Sequence, residues 1–265
     1  MKSVKFMLSS LIGLSNALQA IYAIWLREFK VYTREKSRIV TSFFTPLLWL
    51  FIVGTGLGST TTMSIEVSYQ KFIFPGIIGM SIIFTSVFYG AYIIWDRKFD
   101  FLKSVVVSPV SREIIFLGKT IGGMTNSMIQ VAMLLIIGLI IGIDYSIISL
   151  IQIIFISIIL SFLLTGLGLG LGSHIQSLEG FQMIVSFVVF PLFFLSGALF
   201  PLDNLPEWLS FLTLIDPATY AIDALRNSIF GVATFSFEID IFVLCVFAVI
   251  SVLFGMFSFR RMKAI

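Results

Sequence analysis

Apolar residues in this chain fall in long unbroken runs, not in alternating or short periodic patches. Six stretches, residues 39–58, 72–95, 120–143, 147–172, 181–200 and 241–259, contain no Asp, Glu, Lys, Arg or His. Each matches the twenty or so residues that a helix needs to cross a hydrocarbon core of about 30 Å. They are too long for barrel strands and lack a two-residue period. The pattern predicts an all-α membrane protein with six transmembrane helices in a single transmembrane domain, 1–265.

Polar positions gather between the runs. Ahead of the first, residues 15–37 place Leu18, Ile21, Tyr22, Trp25, Phe29 and Tyr32 at helical spacing, with Arg27, Lys30, Arg34 and Arg38 opposite. This predicts an N-terminal amphipathic helix lying in the membrane interface. The stretch WDRKFDFLKSVVVSPVSREIIFLGK, 95–119, holds the densest charge in the chain between two apolar runs. After the fifth run, LDNLPEWLSFLTLIDPATYAIDALRNSIFG is too polar to span and too apolar for a simple loop. Asp203 or Asn204 before Pro206, and Asp216 before Pro217, each pair an N-cap with a first-turn proline, and Gly231 suits a helix stop. A short outer-side helical hairpin within 201–235 is expected.

Composition agrees: 58% of residues are hydrophobic and 12% charged, against about 25% charged in soluble chains. Of the 17 Lys and Arg residues, all but Lys71 and Arg226 lie before the first run, in 96–119 or after the sixth. Positive loops face the cytoplasm, so both termini are expected inside, and the charge of +3 is topological, with no nucleic-acid partner implied. Lys2, Lys5 and the following Ala17-Leu18-Gln19-Ala20 resemble a signal peptide, but cleavage there would place Arg27 to Arg38 outside, against the other loops.

Runs free of ionisable groups disfavour proton- or ion-coupled carriers, which hold such groups at depth. Enzyme chemistry finds little support: the single His174 and single Cys245 fall on opposite sides by span counting, and Glu179 with His174 has no metal-ligand specificity. Gly118-Lys119-Thr120 mimics a P-loop ending, but Glu113 stands where the motif needs its first glycine. Gly166, Gly168, Gly170 and Gly172, with Ser157, Ser161 and Thr165, form a small-residue face suited to close helix packing inside the bundle or at a subunit seam. Pro191 frees the carbonyl of Phe187 and predicts a kink.

FPGIIGMSIIFTSVFYGAYIIWDRKFDFLKSVVVSPVSREIIFLGK (74–119) and FPLFFLSGALFPLDNLPEWLSFLTLIDPATYAIDALRNSIFG (190–231) resemble the corresponding segments of ABC-2 type transporter permeases, particularly the daunorubicin-resistance and nodulation-factor branch. The run Asp96-Arg97-Lys98 departs from the acidic-Arg-acidic pattern frequent there. The resemblance implies the membrane subunit of an ATP-driven exporter moving a hydrophobic or amphiphilic substrate, such as a drug-like molecule, a lipid or a lipid-linked glycan. It implies two copies of an ABC ATPase subunit as partners, with ATP and Mg bound there and no cofactor in this chain. It also implies a second permease subunit, as a homodimer, in a bacterial or archaeal plasma membrane. In the 96–119 loop, an ATPase-coupling helix is carried over to Asp96, Arg97, Phe99, Asp100, Phe101, Leu102, Lys103 and Ser104, ended by Ser108-Pro109. Trp25, Arg27, Lys30 and Arg34 of the interfacial helix and the 173–180 turn would add contacts. Path-lining candidates on the first, second and fifth helices are Phe43, Phe44, Trp49, Phe84, Phe88, Tyr89, Phe187, Phe193 and Phe194. The competing class is a passive channel, scramblase or scaffold that needs no ATPase.

Overall fold

The computed structural model describes residues 2–58, 69–99, 110–202 and 205–262, without the side chains of 2–15 and Leu57. Its described residues are helical, with turns and short links, and six helical stretches are long and apolar enough to cross a membrane.

The long helix α1 (Lys2–Arg34) breaks at Glu35, and α2 (Lys36–Leu48) continues through a π-helical turn, Trp49–Val53, into α3 (Gly54–Gly58). Pro46 explains the irregularity: lacking an N–H, it leaves the Ser42 carbonyl without its helical donor. Gln130 Nε2 donates to that carbonyl instead. α4 (Tyr69–Phe88) is the most enclosed of the spans, and after a turn at Tyr89–Gly90 the chain resumes as α5 (Ala91–Lys98). Next come α6 (Arg112–Ile140), α7 (Ile147–His174) and α8 (Leu178–Leu195). Serine hydroxyls cap all three: Ser111 accepts from the Ile114 N–H, Ser146 from Ser149 and Ser177 from Gly180. Pro191 lies inside α8.

At one end of the bundle, here the hairpin end, sit α9 (Glu207–Ile215) and α10 (Pro217–Phe230). Asp216 caps α10 by accepting from the Ala218 N–H at 2.8 Å, Pro217 occupies the first turn, and Gly231 stops the helix with φ +68°. The first hairpin helix begins after Pro206; the alternative caps Asp203 and Asn204 lie outside the described residues. The Asp223 carboxylate accepts from the Thr234 and Phe235 N–H groups at 2.8–3.0 Å, fixing the link to the last helix, α11 (Phe237–Arg261). Arg226 donates to the Gly197 carbonyl at 2.8 Å and lies over the Phe72 ring.

The tightest packing surrounds α7. Its alternating glycines serve two neighbours: Gly168 and Gly172 meet the backbone of Val87 and Gly90, while Gly166 and Gly170 face Val252, Phe254 and Gly255 of α11. The small-residue face therefore works inside the bundle, where missing side chains let backbones touch.

The helix that carries the third apolar run begins at Arg112, eight residues ahead of the run, because Ser111 caps a helix that continues through Lys119. The helices that carry the runs also hold buried charges just outside them: Asp96, Lys119 and Asp240. On α1, the expected apolar face is only partly engaged. Leu18 and Tyr22 are exposed, whereas Ile24 and Glu28 press on Gly118 and Gly122 of α6 and Tyr32 is buried.

Candidate functional site

The charged residues gather at the opposite end of the bundle, here the basic end. Lys119 is 0% exposed. Its ammonium donates to Glu28 Oε1 of α1 at 2.9 Å and to Asp96 Oδ2 of α5. Arg27 closes the ring, bonding Glu28 at 2.7 Å and Asp96 at 2.8 Å, and the Tyr89 hydroxyl donates to Glu28 Oε2 at 2.7 Å. Two cations thus meet two carboxylates from three separate elements. Burial alone would push the Glu28 carboxyl up, but the charge of Lys119, the hydrogen bonds from Lys119 and Tyr89 and the nearby Arg27 outweigh it and hold Glu28 below the usual range. Burial likewise pulls Arg27 down, and Asp96 and Glu28 more than reverse it. A buried charge is tolerated only when paired and hydrogen-bonded in this way. A second pair flanks the first: the Tyr92 hydroxyl donates to Glu35 at 2.9 Å, and Arg38 lies 4.4 Å above the Tyr92 ring.

Arg97, next to Asp96, turns the other way. Its guanidinium donates to the carbonyls of Gly172 at 2.6 Å and of Ile175, at the end of α7, where helix carbonyls lack partners. One dipeptide thereby ties α5 to α1 and α6 through Asp96, and to the α7–α8 turn through Arg97. Beyond it the Phe99 side chain is 70% exposed and stacks on Trp95 with centroids 5.7 Å apart, and Lys98 lies near the same indole. Trp95 and Lys98 edge a cleft of about 790 Å³ walled by α5, the α7–α8 turn including His174 and Ser177, and Arg261 at the end of α11. His174 contacts the Gly170 carbonyl at 3.1 Å and stacks on Phe254.

On the flank of α4, aromatic side chains meet. Phe84 stacks on Phe88 and meets Phe190 and Phe193 edge to face; Trp49 packs edge-on against Phe193, which touches Phe194.

An ABC-2 type transporter family model matches residues 19–230, most of the chain. The chain belongs to the ABC-2 type transporter family. The permease is 27% identical to the transport permease ycf38 of Cyanophora paradoxa over 94% of this chain and 89% of that protein. It is 27% identical to the inner membrane transport permease YadH of Escherichia coli K12, over 87% and 90% of the two chains. Nodulation protein J of Rhizobium leguminosarum is 24% identical over 90% and 93%. ABC-2 permeases work with ABC ATPase partners.

The permease distributes its sequence-derived site residues unevenly. Of the coupling candidates, Asp96 and Arg97 are turned inward to the partners above, so they fix the element in place and offer little surface. Phe99 is presented outward, and Asp100, Phe101, Leu102, Lys103, Ser104 and the Ser108-Pro109 ending lie outside the described residues. On α1, Lys30 and Arg34 are exposed, Arg27 joins the ion network and Trp25 donates to Thr125 of α6 at 2.9 Å. Among the path candidates, Trp49, Phe84, Phe88, Phe193 and Phe194 come together, while Phe44 and Phe187 point outward, Phe43 is buried and Tyr89 belongs to the ion network. Glu28, Lys119 and Phe190 were missed. The i, i+4 pair Gly118 and Gly122 was the signal for close approach of α1 at that point.

Proposed function

We propose that this permease is the transmembrane subunit of an ATP-driven ABC exporter and moves a hydrophobic or amphiphilic molecule. It would work as a homodimer over two ATPase subunits that carry the ATP and Mg. The observation that carries this reading is the exposed Trp95–Phe99 stack beside the 790 Å³ cleft, mounted on an element bolted to three helices. A docking knob must transmit force without yielding, and the inward bonds of Asp96 and Arg97 give it that stiffness. The positive-inside pattern supports a cytoplasmic position for this end, the side where ATP is found, and the family resemblance suggests a bacterial or archaeal plasma membrane. The aromatic cluster around Phe84 and Phe193 gives an apolar route for the substrate.

The test is purification from the native membrane in mild detergent, with identification of stoichiometric partners. An ATPase subunit of about the mass of the permease should co-purify, and Phe99→Asp should release it while the permease stays monodisperse. A permease that comes alone and folded would instead leave a passive channel, scramblase or scaffold.

A further inference from the structure

A second cavity, of about 330 Å³, lies between α2, α4 and α6, behind the Phe84 cluster. That volume falls at the small end of ligand pockets. Two stripes face each other across it. On α2, Arg38, Thr41, Ser42 and Thr45 follow the i, i+3, i+4, i+7 spacing of one helix face; on α4, Ser81, Thr85 and Phe88 do the same. Because α2 leaves the basic end and α4 returns to it, Arg38 and Phe88 mark the mouth while Pro46 and Met80 mark the floor. The cavity is open at the side, where Thr41 and Thr45 are exposed.

The hydrogen-bond inventory sets what could sit there. Thr41 donates to the Ser37 carbonyl, Ser42 to Ile39 and Ser81 to Ile77, each at 2.8 Å, and Thr85 donates to Gln130. Each hydroxyl has one proton, so these groups face the cavity with acceptor lone pairs, Ser42 being also hydrogen-bonded with the Tyr32 side chain. Arg38 is the reverse. Its guanidinium lies over the Tyr92 ring and is ion-paired with Glu35 at 3.7 Å, beyond hydrogen-bond reach, so it lines the mouth as a cationic group that can only donate. Phe84, Phe88 and Met80 supply an apolar wall.

We infer that this cavity binds an amphiphile whose head carries an anionic group beside free hydroxyls. The anion meets Arg38, the hydroxyls meet the acceptor stripe and the apolar part lies along Phe84 and Phe88. The inference rests on the exporter reading only in taking this ligand as cargo; binding itself needs no ATPase.

Binding to the purified permease alone would be titrated with dioctanoyl phosphatidylglycerol, which has a phosphate and a diol, and with dioctanoyl phosphatidic acid, dioctanoyl phosphatidylcholine and glycerol 3-phosphate. The first should bind about tenfold tighter than the other three, and Arg38→Gln should erase about tenfold of its affinity, as a charge-assisted hydrogen bond is worth. Thr41→Val with Thr45→Val, on the exposed face where folding is not at risk, should narrow the gap between phosphatidylglycerol and phosphatidic acid. Equal binding of all lipids, or insensitivity to both variants, would overturn the site; tight binding of glycerol 3-phosphate would overturn the amphiphile. A bound phosphatidylglycerol in a permease that recruits no ATPase would sink the exporter reading and leave the site standing.

Discussion

Replacing Lys119 by Met removes one ammonium and nothing else of comparable volume. Left behind are Glu28 and Asp96, both buried, with Arg27 still bonded to each. Taking one member from a buried ion cluster costs about 3–5 kcal/mol. The lower end applies, because Arg27 still reaches both carboxylates, although its own side chain is 33% exposed and partly screened. At roughly 2–4 °C per kcal/mol for chains of this size, about 3 kcal/mol lowers the unfolding midpoint by some 6–12 °C. Fluorescence-detected size exclusion after a temperature series, in one detergent at pH 7, reads this directly. Adding Asp96→Asn to Lys119→Met removes the carboxylate that the ammonium neutralised, keeps Arg27 paired with Glu28 and should recover most of the loss. A single variant within 1–2 °C of wild type on the same scale, or a double variant no better than the single, would refute the network as a structural keystone.

Two further outcomes follow from the packing and the hairpin. Gly168→Ala should abolish the monodisperse species, because a Cβ there would stand 2.9 Å from the Val87 Cα, whereas Gly166→Ala, with no neighbour nearer than 3.5 Å, should behave as wild type in the same chromatogram. Burial pushes the Asp216 carboxyl up to about 8 despite its bond from the Ala218 N–H. The folded state therefore holds the proton more tightly than the unfolded one, and stability should be greatest near pH 4 and fall as pH rises toward 8, by a few kcal/mol at most. Asp216→Asn keeps the capping oxygen and should flatten the midpoint-against-pH curve between 5 and 9; an unchanged slope would assign the dependence elsewhere.

The spans were legible because twenty uncharged residues have few alternatives to a membrane helix, and the hairpin because Asp216-Pro217 and Gly231 carry local instructions. Lys119 was counted among the charges of the 96–119 loop for a physical reason. A lysine at the edge of an apolar run has a loop's composition, and its burial depends on carboxylates 91 and 23 residues away. Asp96 and Arg97 show the same limit: their composition marks a charged loop, but only the fold reveals that each spends its charge inward. The turn at Tyr89–Gly90 was equally hidden, since the reason for that glycine is the carbonyl of Gly168, on another helix.

The ring of Arg27, Glu28, Asp96 and Lys119 also constrains descent. A lineage that loses one of these residues inherits an imbalance among mostly buried charges, so single replacements are selected against while paired replacements of opposite sign pass. Across many relatives the four positions should change in concert, a correlated signature joining the start of the chain to its middle that can be sought by sequencing alone.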